Sequence, residues 1–222
     1  MATLLNIDTA VETASLCLAN DASSIQFAIN NNQRDHATWL HPAIEKMLSD
    51  ANLEINDLDA VAVSIGPGSY TGLRVGLSAA KGICFALRIP LITIPTLEMM
   101  AYASINENDE ADLFCPLVDA RRLEVFMGIY KKDLTVVVEP EALVINTDSF
   151  NSLLATNTIQ FSGNGSDKVK HMVQHRHASF CGTAATADHM KDLSDKRFRE
   201  KDFADLAYTE PLYIKEFYSP AR

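Results

Sequence analysis

A chain of 222 residues, 47% hydrophobic and 22% charged, has ample material for a buried core and lacks the composition of a disordered segment. Its 29 acidic and 19 basic residues leave a net charge of −10, shared equally by the stretches before and after residue 100. Such a chain repels nucleic acid and anionic membranes unless basic side chains are concentrated somewhere, so RNA is expected to be reached through an assembly. No apolar run approaches the roughly 20 residues of a membrane span. The start reads as a strand closed by an acid and not as a signal sequence. Cys17, Cys84, Cys115 and Cys181 lie far apart without a CxxC pair and read as buried, reduced thiols. The expectation is a soluble, cytoplasmic protein with no membrane partner.

The first hundred residues alternate strand and helix. Residues 4–7 form a short apolar run ending in Asp8, and 15–19 and 25–29 are two more strands divided by the turn-prone Asn20-Asp21, which together suggest an antiparallel meander. Residues 36–51 place Leu40, Ile44, Met47, Leu48 and Ala51 at helical spacing, with Pro42 implying a kink or a true start near His41. A buried strand over 61–65 feeds Gly66-Pro67-Gly68-Ser69, then a helix over 72–87, a strand over 91–94 and a helix over 96–104. Short strand–helix–strand connections imply a parallel part to the sheet.

The acidic stretch 106–112 reads as a linker. After it the pattern restarts, with strands over 114–118, 124–130 and 135–138, a helix over 149–155, a strand over 158–161 and a Gly163-Asn164-Gly165 turn. Three strands, then helix and strand, occur in both halves, which suggests a structural repeat. A helix over 184–193, a solvated charged stretch over 195–202 and an apolar tail over 211–218 complete the chain.

The strongest chemical signal is the run Gly66-Pro67-Gly68-Ser69-Tyr70-Thr71-Gly72-Leu73-Arg74-Val75-Gly76. Glycines here permit close backbone approach, and a helix start offers N–H groups and a positive dipole end to an anion. The same pattern also serves a tight strand-to-helix turn, with Ser69 and Thr71 as capping residues. No Lys-Ser/Thr follows as a phosphate-binding Walker loop requires. Gly72, Gly76 and Ala79 make a small-residue stripe, suited to close packing on a helix of this chain or of another. Asp8 sits where an acid beside a metal–nucleotide is found in actin-like folds, or is a turn residue. Asp119-Ala120-Arg121-Arg122 occupies the matching place in the second half, its arginines suited to an anion or to Glu124. His171 and His175 have ligand spacing, but no Asp or Glu stands among them. Residues 196–201 are the one basic concentration and read as a solvated face or a contact with RNA.

Asp8-Thr9-Ala10, Gly66 to Arg74, Pro95-Thr96-Leu97-Glu98 and Asp119-Ala120-Arg121-Arg122-Leu123-Glu124-Val125-Phe126 occur in an order and spacing that resembles the bacterial TsaB family, also called YeaZ. The resemblance covers residues 3–130 well and thins to Gly163-Asn164-Gly165 and Pro211-Leu212-Tyr213-Ile214. It implies an α/β, two-lobed actin/Hsp70/sugar-kinase-like (ribonuclease H-like) fold with a mixed sheet and helices in each lobe. The first lobe would span 1–105 and carry the partner-binding helices, and a smaller second lobe 106–222, its tail from about 203 free to pack back on the first.

The resemblance further implies a non-catalytic scaffold for forming N6-threonylcarbamoyladenosine beside the anticodon of tRNAs that read codons beginning with A. Its partners would be a TsaD-like transferase and a TsaE-like ATPase, with tRNA met indirectly. TsaD carries a His-x-x-x-His metal pair where this chain has Thr96 and Met100, which cannot replace imidazole ligands, so no catalytic or metal-binding residues and no cofactor of its own are expected. An adenine nucleotide at the partner junction stays open, with Gly66, Gly68, Ser69 and Thr71 as the residues to meet it. The partner surface is expected on Leu40, Ile44 and Leu48 of one helix and Leu73, Leu77 and Ala80 of the next, and the same surface is expected to give a homodimer when the protein is alone. The competing expectation is an actin-fold ATPase or small-molecule kinase using Asp8 and the Gly66 loop.

Overall fold

The structure is a computed structural model that describes residues 1–32 and 35–215. The chain divides into two compact units, Met1–Met99 with Ala184–Pro211, and Met100–Thr183 with the described residues after Pro211. The first unit opens with β1 (Thr3–Asp8), β2 (Ala14–Asn20) and β3 (Ser23–Asn30), then α1 (His36–Asp50), a 3-10 turn at Ile55–Asp57, β4 (Ala60–Ser64), α2 (Tyr70–Leu87) and β5 (Leu91–Ile94). The division between units falls inside α3 (Thr96–Glu107). The second unit holds β6 (Leu113–Asp119), β7 (Glu124–Tyr130), β8 (Val136–Val144), α4 (Asn151–Leu154), β9 (Ile159–Ser162), α5 (Ser166–Met172) and β10 (Ala178–Phe180), and α6 (Ala187–Glu200) returns to the first.

The first sheet has the order β3-β2-β1-β4-β5, antiparallel through β3-β2-β1 and parallel through β1-β4-β5. The second sheet, read from β8, runs β8-β7-β6-β9-β10 with the same pattern of directions. The suggested repeat is therefore real at the level of topology, and each sheet is the five-stranded mixed sheet of actin-like, ribonuclease H-like folds. Among the described residues no helix is long and apolar enough to cross a membrane.

Strand alternation decides what covers the first sheet. Leu5 and Ile7 of β1, with Leu16 and Leu18 of β2 and Val61 and Val63 of β4, join one apolar core with Leu40, Ile44, Met47 and Leu48 of α1 and Leu77, Ala80 and Cys84 of α2. The opposite face carries Asn6, Asp8, Ser15 and Cys17, and α6 lies on it. Ser194 donates to Asn6 Oδ1 at 2.7 Å, and the Ala187 N–H donates to Ser15 Oγ at 2.8 Å. The second unit has its own core around Phe150, Phe161, Leu117 and Val125, with the Phe150 and Phe161 rings edge-on at 4.9 Å.

Several expected boundaries move. α1 starts at His36 and continues through Pro42, because the carbonyl that Pro42 cannot satisfy belongs to exposed Thr38 and can be hydrated. α2 begins at Tyr70, two residues before the expected start, because Ser69 takes the capping position. α3 runs to Glu107 and takes in the first residues of the predicted linker. α5 and β10 were not anticipated. Residues 216–218 of the expected apolar tail lie outside the described residues.

The largest change concerns residues 184–202. The sequence assigned them to the second lobe and read 195–202 as solvated, yet one helix runs to Glu200 and packs on the first sheet. Three of its four lysine and arginine side chains are paired: Lys191 with Asp188 at 2.7 Å, Arg199 with Asp195 at 2.9 Å, and Arg197 with Glu98 at 2.6 Å. The Arg197 guanidinium also donates to the Thr93 carbonyl, so it ties α6 to the β5–α3 junction. Arg197→Met is expected to lower stability by roughly 1.5–3 kcal/mol, because it removes charge-assisted bonds and leaves Glu98 without its cation. A shift of the denaturant midpoint of the full chain checks this, and an unchanged midpoint would show the network to be idle.

Candidate functional site

The glycine run and the end of β1 form one interlocked unit. Gly66 sits at φ 117°, a conformation that favours glycine, and exchanges two hydrogen bonds with Thr96: its N–H donates to Thr96 Oγ1 at 3.1 Å and its carbonyl accepts from the Thr96 N–H at 2.8 Å. The Ser69 N–H donates to the Ala10 carbonyl at 2.6 Å, and the Ser69 hydroxyl accepts from the Gly72 N–H at 3.3 Å as the cap of α2. Thr71 lies inside the first turn, exposed, and does not cap. Thr9 Oγ1 donates to the Gly72 carbonyl at 2.7 Å.

Close approach explains the remaining glycines. A Cβ on Gly68 would stand 2.1 Å from the Ala10 carbonyl oxygen, on Gly72 2.1 Å from the Thr9 carbonyl oxygen, and on Gly76 2.3 Å from Thr9 Oγ1. The stripe of small residues thus receives a strand end of this same chain. Of the loop amides, those of Gly66, Ser69, Gly72 and Leu73 already donate within the protein.

Asp8 anchors the arrangement from beneath. It is fully buried; Oδ1 accepts from the Ser64 hydroxyl at 2.6 Å and the Ala10 N–H at 3.0 Å, while Oδ2 has no partner among the described residues. Burial pushes the carboxyl up to about 6, against the opposing pull of the Ser64 and Ala10 bonds.

The six residues expected to form the partner surface need correction. Leu40, Ile44, Leu48, Leu73, Leu77 and Ala80 are all buried in the first unit, where α1 and α2 meet the sheet. Their spacing identifies the face that this chain covers itself. The outward face of α2 has a different composition: Arg74, stacked 3.8 Å over the Tyr70 ring, then Ser78, Gly82 and Phe85. Phe85 is 78% exposed, and a Cβ on Gly82 would meet nothing within 4 Å among the described residues. Sequence reading passed over both, although a lone aromatic opposite an apolar helical stripe is a readable signal.

The other candidates separate. Cys17, Cys84 and Cys115 are buried thiols pushed up by desolvation, Cys17 and Cys84 to about 11, while Cys181 is half-buried. His41 and His171 are exposed, His36 is buried, and His175 and His177 sit edge-on at 5.2 Å. Glu124 pairs with Lys215 at 2.6 Å instead of with an arginine. Thr96 is fully buried and engaged with Gly66, and the Met100 methyl fills the space where a Gly163 Cβ would stand.

The chain matches the family described as TsaD, tRNA N6-adenosine threonylcarbamoyltransferase, over residues 28–215. It is 31% identical over 220 residues to the tRNA threonylcarbamoyladenosine biosynthesis protein TsaB of Bacillus subtilis, covering 96% of this chain and 94% of that one. It is 32% identical over 130 residues to the TsaB of Escherichia coli, an alignment that spans about half of the relative's length (55%) and 59% of this chain. In fold it resembles YeaZ from Pseudomonas aeruginosa with a TM-score of 0.83 at 23% identity, covering 96% of this chain and all of the other.

Gly76→Ala is expected to destabilise the chain, because the new methyl must displace Thr9 from its bond to Gly72; a melting temperature equal to wild type would refute the interlock. Asp8 gives a pH test. A folded carboxyl at about 6 against an ordinary 3.8 binds its proton more tightly folded than unfolded, so its ionisation costs stability above pH 6, on the order of 3 kcal/mol. That cost disappears as pH falls from 7 towards 4. Buried His36 and half-buried His189, both held below their ordinary value by desolvation, work in the opposite direction, so the readout is the difference from Asp8→Asn. Wild type is expected to gain on that variant between pH 7.5 and 4.5 in urea titrations, and a constant difference would contradict it.

Proposed function

The chain belongs to the TsaB (YeaZ) family and has a role in tRNA threonylcarbamoyladenosine biosynthesis, and from that premise we propose that it is the pathway's non-catalytic scaffold subunit. It pairs with a TsaD-like transferase and is joined by a TsaE-like ATPase in the cytoplasm, and it meets tRNA through them. The observation that carries this reading is the use of Thr96 and Met100. Where the transferases hold a metal with two histidines, these side chains are consumed by the Gly66 loop and by the Gly163 turn. A hydroxyl already engaged in accepting a backbone bond and a packed thioether supply no site for metal chemistry.

The partner surface lies on the outward face of α2. Phe85 exposes most of its ring, and Gly82 costs helix stability of about 1 kcal/mol relative to alanine with no packing among the described residues to require it. A partner helix crossing at Gly82 with Phe85 as its anchor gives both a purpose. The same face serves a second copy when the transferase is absent. An adenine nucleotide at the junction would meet exposed Thr71 and the half-buried Gly68 and Ser69, since the Gly66 amide is taken.

The competing reading, an ATPase or kinase acting through Asp8, finds that carboxyl fully buried with one oxygen committed to Ser64 and Ala10. Reconstitution separates the two. A scaffold restores tRNA modification when added to the transferase and ATPase and turns over no nucleotide alone, whereas unaided turnover that disappears in Asp8→Ala would establish an enzyme. For the surface, Phe85→Asp is expected to keep the wild-type melting temperature and lose co-purification with the transferase. Leu77→Asp, placed in the core, is expected to lower the melting temperature itself. Full binding by Phe85→Asp would move the interface elsewhere.

A further inference from the structure

The charges on α2 are one-sided. Its 18 residues include Arg74 and Lys81 but no acid, and Arg88 closes it in the left-handed conformation, in a chain that carries −10 overall. These three cations recur every seven residues, which is nearly two helical turns. They therefore follow one flank of the helix, beside Ser78, Gly82 and Phe85. Arg74 stacks on Tyr70, and Lys81 Nζ donates to the Ala207 and Thr209 carbonyls at 3.2 and 3.1 Å. Among the described residues no acid forms an ion pair with Lys81 or Arg88.

The two bonds of Lys81 fasten the returning C-terminal segment to this face. Asp205 shapes that segment into a turn: its carboxylate accepts from the Ala207 and Tyr208 N–H groups at 2.8 and 3.0 Å, and its carbonyl from the Thr209 N–H at 3.0 Å. Tyr208 projects from the turn, 84% exposed, and with Phe85 is one of the two most exposed aromatic side chains among the described residues. Between the segment and the end of α2 lies a cavity of about 730 Å³, lined by Phe85, Arg88, Pro90 and Leu206. Aromatic side chains on fixed backbone beside a pocket lose little freedom on docking, which suits them as anchors.

We propose that the partner surface extends from α2 onto the Asp205–Thr209 turn, with Tyr208 as a second anchor, and that its occupant is an acidic helix of the transferase. The inference rests on the reading of the outward α2 face as the transferase surface, and adds the chemistry of what that face receives. A helix with carboxylates at seven-residue spacing along the flank of an apolar seam meets Lys81 and Arg88 with opposite charge, while an apolar side chain of it enters the cavity beside Phe85. A second copy crossing α2 on α2 sets these cations against their own kind, so it is the weaker occupant and yields to the transferase.

The test measures binding of the isolated transferase to the full chain by calorimetry at low and high salt. Wild-type affinity is expected to fall as salt rises. Arg88→Glu and Tyr208→Ala are each expected to keep the wild-type melting temperature and to weaken binding tenfold or more at low salt. If Arg88→Glu melts lower, because an acid opposes the dipole at a helix C-terminus, Arg88→Gln gives the same reading with a smaller loss. Self-association is followed by sedimentation, and Arg88→Glu is expected to tighten it, since each copy then offers an acid to the other's Lys81. A reversal that leaves transferase binding intact and abolishes self-association identifies the second copy as the occupant and overturns the proposal. Wild-type affinity in either variant, with binding lost in Phe85→Asp, overturns it while the α2 face stands. Full binding by Phe85→Asp, or none by wild type, removes the face itself and the proposal with it.

Discussion

The carbonyls of Thr9 and Ala10 lie against the start of α2 at distances that leave no room for a side chain at Gly68 or Gly72. From this contact much of the first unit follows. It fixes where β1 ends, and so where Asp8 projects. It sets the depth at which α2 rides over β4, and it turns Ser69 into both a cap and a clasp. An N–H-rich loop that looks from its composition like an anion cradle spends much of its hydrogen-bonding capacity on holding its own strand. The glycines are needed here for closeness, and only Gly66 for conformation.

Electrostatics follow a similar economy. The acid at the end of β1 is buried with one oxygen unpartnered among the described residues, which the fold tolerates because Ser64 and Ala10 partly compensate the other. Along α6, Lys191, Arg197 and Arg199 meet anions within a turn or across to Glu98, so part of a basic-looking run is neutralised within the chain. At the β6–β7 hairpin the acids are engaged by lysines, and the guanidiniums make no ion pair among the described residues. The same residue type is thus internal structure in one place and outward charge in another, and only the partners distinguish the two.

The strands were legible because their signal is local. The spans of β5 and β7 coincide with their sequence readings, and the meander and repeat emerge from alternation and turn residues alone. Amphipathic spacing also found the correct apolar faces of α1 and α2. It could not say who covers them: Leu40, Leu73 and Leu77 have the same periodicity whether they meet a sheet of this chain or a helix of another. Residues 195–200 look solvated because the pairing of Arg197 with Glu98 and its bond to the Thr93 carbonyl are long-range. Phe85 and Gly82 were overlooked because a reading aimed at apolar stripes looks past the opposite face.

One feature of the topology bears on how the molecule is made. The helix lying on Asn6 and Ser15 is encoded only after every strand of the second sheet, so the second unit is in effect inserted within the first. A nascent chain of a hundred residues can close α1 and α2 over one side of its sheet, but the other side stays wetted. The later sheet, by contrast, has all its strands in a row and can fold as it emerges. During synthesis the first-born half is therefore the last to be sealed, and until residue 200 leaves the ribosome its exposed strands depend on water or a chaperone for cover.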